Sequence, residues 1–291
     1  MKLYIKEFSL HVLLVYMIII FLFFTYQSNA SIQSFVYGGC SQQKYNPGTV
    51  YESNVNSLLT SLVNSASYAN FNNFKISLPG SSQNDIVYGL FQCRGDLGNS
   101  DCRKCVATAV SRVGTLCTTT CGGALQLDGC FVKYDNVSFL GVEDKGVVMH
   151  KCGPSIMDDN EMLTRNDAVL TYLGAVPQGQ YFRVGGSGKI QAVAQCTQDL
   201  SVSECEDCLT EAIRQLKSEC GSSPWGDMFL TKCYARFSER GFTSKSALYT
   251  ISGDEDVEKT LAITIGLIAG VAVLIVFLSV LNKFCEKKGG K

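Results

Sequence analysis

The chain has 291 residues, with 25 basic against 26 acidic side chains and a formal net charge of −1. No basic excess is present to attract phosphates, so nucleic acid is excluded as a partner class. Fourteen residues are cysteine, a usage that fits an oxidising compartment rather than the cytosol.

Residues 1–30 read as a secretory signal peptide. Lys2 and Lys6 give the charged start, His11 to Phe24 is almost wholly apolar, and Ser28-Asn29-Ala30 supplies small residues for cleavage. An uncleaved N-terminal anchor is the other reading of so long an apolar run.

Two modules follow, over 31–140 and 141–245. In the first, Phe35 to Cys40 is a short strand. Tyr51 to Ser67 carries Val55, Leu58, Leu59, Leu62 and Val63 at helical spacing. A Gly- and polar-rich stretch leads to a strand, Ile86 to Cys93. A second helix starts near Asp101 as its cap and sets Cys102 and Cys105 on one face. Leu125 to Tyr134 closes the module as a strand-like segment. In the second, Leu163, Val169, Leu170 and Leu173 mark the first helix, with Gly174 as a stop. Ile190 to Cys196 is the strand, Ser203 with Glu206 fits a capping box, and Met228 to Phe237 is the closing segment. Each module is thus expected to be α+β, two helices packed on a small antiparallel sheet.

Residues 246–259 form an acidic stalk. Within 260–282, Leu261 to Leu281 is an apolar run without charge, long enough for a membrane-spanning helix. Acidic residues precede it and Lys283, Lys287, Lys288 and Lys291 follow, so the tail 283–291 is expected in the cytoplasm. Gly266 and Gly270 stand four apart in the span and suit close helix packing. Cys285 in the tail is either an S-acylation site or an idle thiol; both readings stay open.

The cysteines show a duplication. Cys93, Cys102, Cys105, Cys117 and Cys130 recur 103 positions later as Cys196, Cys205, Cys208, Cys220 and Cys233, spaced C-x8-C-x2-C-x11-C-x12-C in both copies. Cys40 and Cys152 each add one upstream. Behind a signal peptide, six cysteines per module read as disulfides rather than zinc ligands. Spacing alone leaves fifteen pairings open per module. Cys121 has no repeat partner, since Pro224 takes its place; it is either buried and free or an intermolecular bridge.

Catalysis finds little support. His150 is the one histidine after residue 30, placed among strand-like residues just before Cys152. Asp158, Asp159 and Glu161 suit a helix N-terminus. Gly185-Gly186-Ser187-Gly188 lacks the Lys-Ser/Thr of a phosphate loop and reads as a hairpin tip. No enzyme activity, cofactor or metal is expected. Asn136-Val-Ser138 is a glycosylation sequon on the outer side.

The duplicated C-x8-C-x2-C core resembles the ginkbilobin-type cysteine-rich domain of land plants. Two copies, one membrane span and a very short tail without a kinase resemble the plasmodesmata-located proteins of that family. The resemblance implies the pairs Cys40–Cys117, Cys93–Cys102 and Cys105–Cys130, then Cys152–Cys220, Cys196–Cys205 and Cys208–Cys233. It also implies a mannose site of Asn, Arg and Glu in lectin members. Here those positions hold Ser41, Ala124 and Asp135, and in the second copy Gly153, Asp227 and Ser238, so sugar binding there is not expected. The implied role is a type I plasma-membrane protein at plasmodesmata, modulating cell-to-cell trafficking by promoting callose deposition. Cell-wall glycans or proteins are the expected outer partners, with self-association or pairing with a receptor-like kinase through the membrane. The rival readings are a membrane-anchored carbohydrate-binding defence lectin and a kinase-less co-receptor of cysteine-rich receptor-like kinases.

Overall fold

A computed structural model describes residues 32–79, 81–155, 160–175 and 179–239. The signal sequence, the stalk, the apolar run with Gly266 and Gly270, and Cys285 lie outside these residues. Among the described residues no helix is long and apolar enough to cross a membrane.

The first module runs β1 (Phe35–Cys40), α1 (Val50–Ser65), β2 (Phe71–Ile76), β3 (Val87–Cys93), α2 (Asn99–Leu116), β4 (Gly123–Leu127) and β5 (Cys130–Asp135). The second repeats the order as β6 (Val147–Cys152), α3 (Asn160–Ala175), β7 (Phe182–Ser187), β8 (Ile190–Cys196), α4 (Val202–Cys220), β9 (Trp225–Leu230) and β10 (Cys233–Glu239). Each module holds one five-stranded antiparallel sheet, ordered β1-β4-β5-β3-β2 and β6-β9-β10-β8-β7.

Both helices of a module lie on one sheet face. On α1, Tyr51, Val55, Leu58 and Leu62 are buried at a spacing of three to four, the stripe that a helix needs to face a core. Leu58 presses so closely on β3 that a Cβ at Gly89 would stand 2.5 Å from its Cδ2. On α2, Cys102, Cys105, Val106, Ala109 and Val113 make the matching face.

Six disulfides staple this arrangement: Cys40–Cys117, Cys93–Cys102, Cys105–Cys130, Cys152–Cys220, Cys196–Cys205 and Cys208–Cys233. They are the pairs implied by the resemblance. Cys102 ties α2 to β3 before it, and Cys105 ties the same face to β5 after it. Cys121 is free and buried.

Several local expectations are corrected. The helix expected to start at Asp101 begins earlier, with Gly98 as N-cap, and Asp101 falls in its first turn. The capping box on α4 is Ser201 with Glu204, not Ser203 with Glu206. Glu206 instead receives a salt bridge from Arg183, which is almost fully buried. The single closing segment of each module is two strands, since Asp128-Gly129 and Thr231-Lys232 turn the chain back. Edge strands β2 and β7 fill stretches read as irregular; Gly185 to Ser187 lies in β7, and Gly188 with Lys189 forms the hairpin tip that leads into β8. Gly174 does not stop α3, which continues to Ala175.

Candidate functional site: the seam and the sheet corners

Side chains alternate across a strand, so the strands that feed the helices with Cys233, Ala235 and Cys196 turn Tyr234, Arg236 and Gln195 the other way. That second face meets the first module. Tyr37 packs edge-on to Phe229 with ring centroids 5.7 Å apart, and Phe229 stacks on Tyr234 at 5.0 Å. Gln195 Nε2 donates to the Cys93 carbonyl at 3.0 Å, and Gln92 Oε1 accepts from the Gln198 amide at 3.1 Å. Gln92 and Gln195 are repeat equivalents, and each bonds the other module's backbone, Gln195 as a donor and Gln92 as an acceptor. A cavity of about 20 Å³ lies among Gln92, Gln126, Gln195, Thr197 and Tyr234. That is room for one water and not for a sugar.

A chain of charges crosses the seam. Arg94 binds Asp96 at 2.7 Å and Asp128 at 3.0 Å; Asp128 also binds Arg236 at 2.8 Å; Arg236 binds Asp227 at 2.6 Å. Burial opposes the Arg236 charge, but Asp227 and Asp128 outweigh it and push its pKa up. Burial also raises the pKa of Tyr234 beside it.

The connection between modules is clamped as well. Lys232 and Asp199 form an ion pair with side chains 3% and 2% exposed. Lys232 Nζ also donates to the Phe139 carbonyl at 2.8 Å, and Asp199 accepts from the Gly141 amide at 3.0 Å. The ammonium groups of Lys133 and Lys232, one from each module, stand 4.5 and 5.2 Å from the Phe139 ring centre. Burial, and then the Lys232 charge, lower the pKa of Lys133.

The positions matching a lectin site lie at one corner of each sheet. In the first module the Ser41 amide donates to the Gly122 carbonyl at 2.9 Å. The Asp135 carboxylate covers Gly122, where a Cβ would meet its Oδ2 at 2.9 Å. Beneath, the Tyr51 hydroxyl donates to the Cys121 carbonyl at 2.5 Å, and burial followed by Asp135 raises the Cys121 thiol pKa. In the second module Trp225 stands at the position of Gly122. It lies so close that a Cβ on Gly153 would sit 2.8 Å from Nε1, and Asp227 is held by Arg236. The second corner is closed by an indole; the first keeps a carboxylate at its surface.

His150 lies on β6, half exposed, with Nε2 3.7 Å from the Glu219 carboxylate. Glu161 pairs with Arg165 at 2.5 Å on α3, while Asp158 and Asp159 fall outside the described residues. Sequence reasoning missed Arg183, Lys232 and Arg236. Their only signal was a lone charge within or beside an apolar strand.

The salt stress response/antifungal family model matches residues 39–137 and 158–240. Plasmodesmata-located protein 6 of Arabidopsis thaliana is 57% identical over 272 residues, covering 91% of this chain and 93% of that protein. Plasmodesmata-located protein 7 of the same plant is 55% identical over 262 residues, covering 90% and 87%. The crystal structure of the tandem DUF26 ectodomain of the Arabidopsis cysteine-rich receptor-like protein PDLP5 matches at a TM-score of 0.66 and 45% identity. It covers 71% of this chain and 99% of that one.

Proposed function

This chain belongs to the plasmodesmata-located proteins, built on tandem salt stress response/antifungal modules, and on that premise we propose that it restricts cell-to-cell trafficking at plasmodesmata by promoting callose deposition. It does so as a type I plasma-membrane protein with both modules outside and no chemistry of its own. The observation that carries this reading is identity of 57% over 91% of the chain, a span that extends past the modules.

The seam suggests how such a protein works without catalysis. Gln92, Gln195 and the Arg94–Asp128–Arg236–Asp227 chain join the modules into one body. A wall or protein ligand that engages one module therefore repositions the other, and a membrane span below would carry that change into lateral assembly. The lectin reading has less support, because Trp225 fills the second corner and Ala124 leaves the first without a guanidinium.

The test is imaging and transport together. The tagged full chain in leaf epidermis should form puncta at cell junctions that coincide with callose staining. Raised expression should reduce the spread of a diffusible fluorescent protein into neighbouring cells. An even plasma-membrane signal, or unchanged spread with unchanged callose, would overturn the proposal.

A further inference from the structure

The two sheet corners differ in one respect that the repeat makes visible. Trp225, 5% exposed, lies on Gly153 in the second module. At the equivalent position of the first module stands Gly122, covered by the Asp135 carboxylate. Ser41, Gln43, Asp135 and Asn136 surround that point. Asn136 Nδ2 donates to Gln43 Oε1 at 3.2 Å, and the Val137 amide donates to Asp135 Oδ1 at 3.2 Å. Asn136 lies in the bend that follows β5, and Val137 and Ser138 beyond it are exposed. The chain here is a surface bend with an open side, the context an Asn-x-Ser acceptor requires.

We propose that Asn136 carries an N-linked glycan, and that this glycan covers the polar corner of the first module where the indole of Trp225 covers the second. The donor is a lipid-diphosphate-linked oligosaccharide of the secretory lumen. Asn136 Nδ2 forms a bond to the sugar C1, the C1–O bond to the diphosphate breaks, the lipid diphosphate leaves, and one amide proton passes to the transferase. The glycosylated amide keeps one N–H, so its bond to Gln43 survives. The first sugars then lie over Gln43 and the exposed Lys44. The proposal rests on the outer placement of the modules.

The experiment uses the full tagged chain from plant cells, with S138A, S138T and N136Q variants. S138A removes the acceptor motif and leaves Asn136 and its Gln43 contact in place; S138T preserves the motif. Parent and S138T should lose the mass of one glycan on treatment with an N-glycan-releasing amidase, while S138A and N136Q should migrate with the treated form and not shift. Acetylation of the Lys44 amine should be several-fold slower in the parent than in S138A, with the exposed Lys104 on α2 unchanged as reference. No mass loss in the parent overturns the modification, and equal Lys44 rates overturn the covering role. Reduction of the same samples reports compartment independently. Intact disulfides without a glycan refute this inference alone, whereas free thiols throughout refute the outer placement too.

Discussion

Replacing Lys232 with methionine tests whether the buried clamp on the intermodule connection stabilises the outer region. The substitution keeps much of the apolar stem and deletes the ammonium. Asp199, 2% exposed, would then keep one hydrogen bond, from the Gly141 amide at 3.0 Å, with the Lys133 charge nearby, and its Oδ1 has no hydrogen-bond partner even in the intact protein. Removing one member of a buried ion pair costs about 3–5 kcal/mol, because the remaining charge stays out of water uncompensated. For two modules of roughly 200 residues together, each kcal/mol lowers Tm by about 2–4 °C, so K232M should melt about 6–20 °C below the parent. The K232M/D199N double variant should recover part of the loss, since no net charge remains buried. K104M, at an exposed position on α2, should stay within about 0.5 kcal/mol of the parent. Calorimetry of the secreted outer region with its disulfides intact measures all four proteins. A K232M midpoint within about 2 °C of the parent would refute the reasoning, because the pair would then be dispensable despite its burial.

Removal of disulfides should follow loop length. Cys40–Cys117 closes 77 residues and its serine pair should lose about 4–5 kcal/mol, whereas Cys93–Cys102 closes nine and should lose about 2–3 kcal/mol. Urea midpoints check the order, and a reversed order would show that native packing outweighs chain entropy. Glu211 should titrate far below an ordinary glutamate. Hydrogen bonds from Arg214 and then Gln215 hold its folded pKa at about 2, against about 4.3 in an unfolded chain. Its folded pKa is depressed, so its stabilisation is present above the unfolded value and fades as pH falls from about 5 towards 2. Solvent exposure keeps that increment small. Carboxyl carbon shifts measure the midpoint; a value above 4 would refute the assignment, and E211Q should flatten the acid limb. A reporter with a signal peptide fused to residues 254–291 should form junctional puncta, and the same reporter with a polyleucine span should spread evenly. Puncta from the outer region on a foreign anchor, together with an even signal from the 254–291 fusion, would assign the address to the modules instead.

Covalent and periodic features were readable from the sequence. Five cysteines repeated at a constant offset of 103 leave little freedom, since a duplicated spacing marks a duplicated unit. The stripe Val55, Leu58, Leu62 on α1 was equally plain, because a helix core face has a fixed period. Edge strands were not. Phe71 to Ile76 is rich in asparagine and Phe182 to Ser187 contains two glycines, so neither shows a strand pattern; backbone pairing to β3 and β8 orders them. The start of α4 was ambiguous for a sharper reason. Ser201 to Glu204 and Ser203 to Glu206 both fit a capping box. Packing decided between them, because Glu206 is required by the buried Arg183 and only Glu204 is left for the cap.

The sequence alone determined two disulfide-stapled α+β modules, since cysteine spacing and helical period are local properties of the chain. Only the tertiary structure decided how the modules join. Asp128 reaches Arg236, Gln92 reaches Gln198 and Lys232 reaches Phe139 across about a hundred residues each. The energy of such contacts depends on burial and geometry that the residues acquire only together.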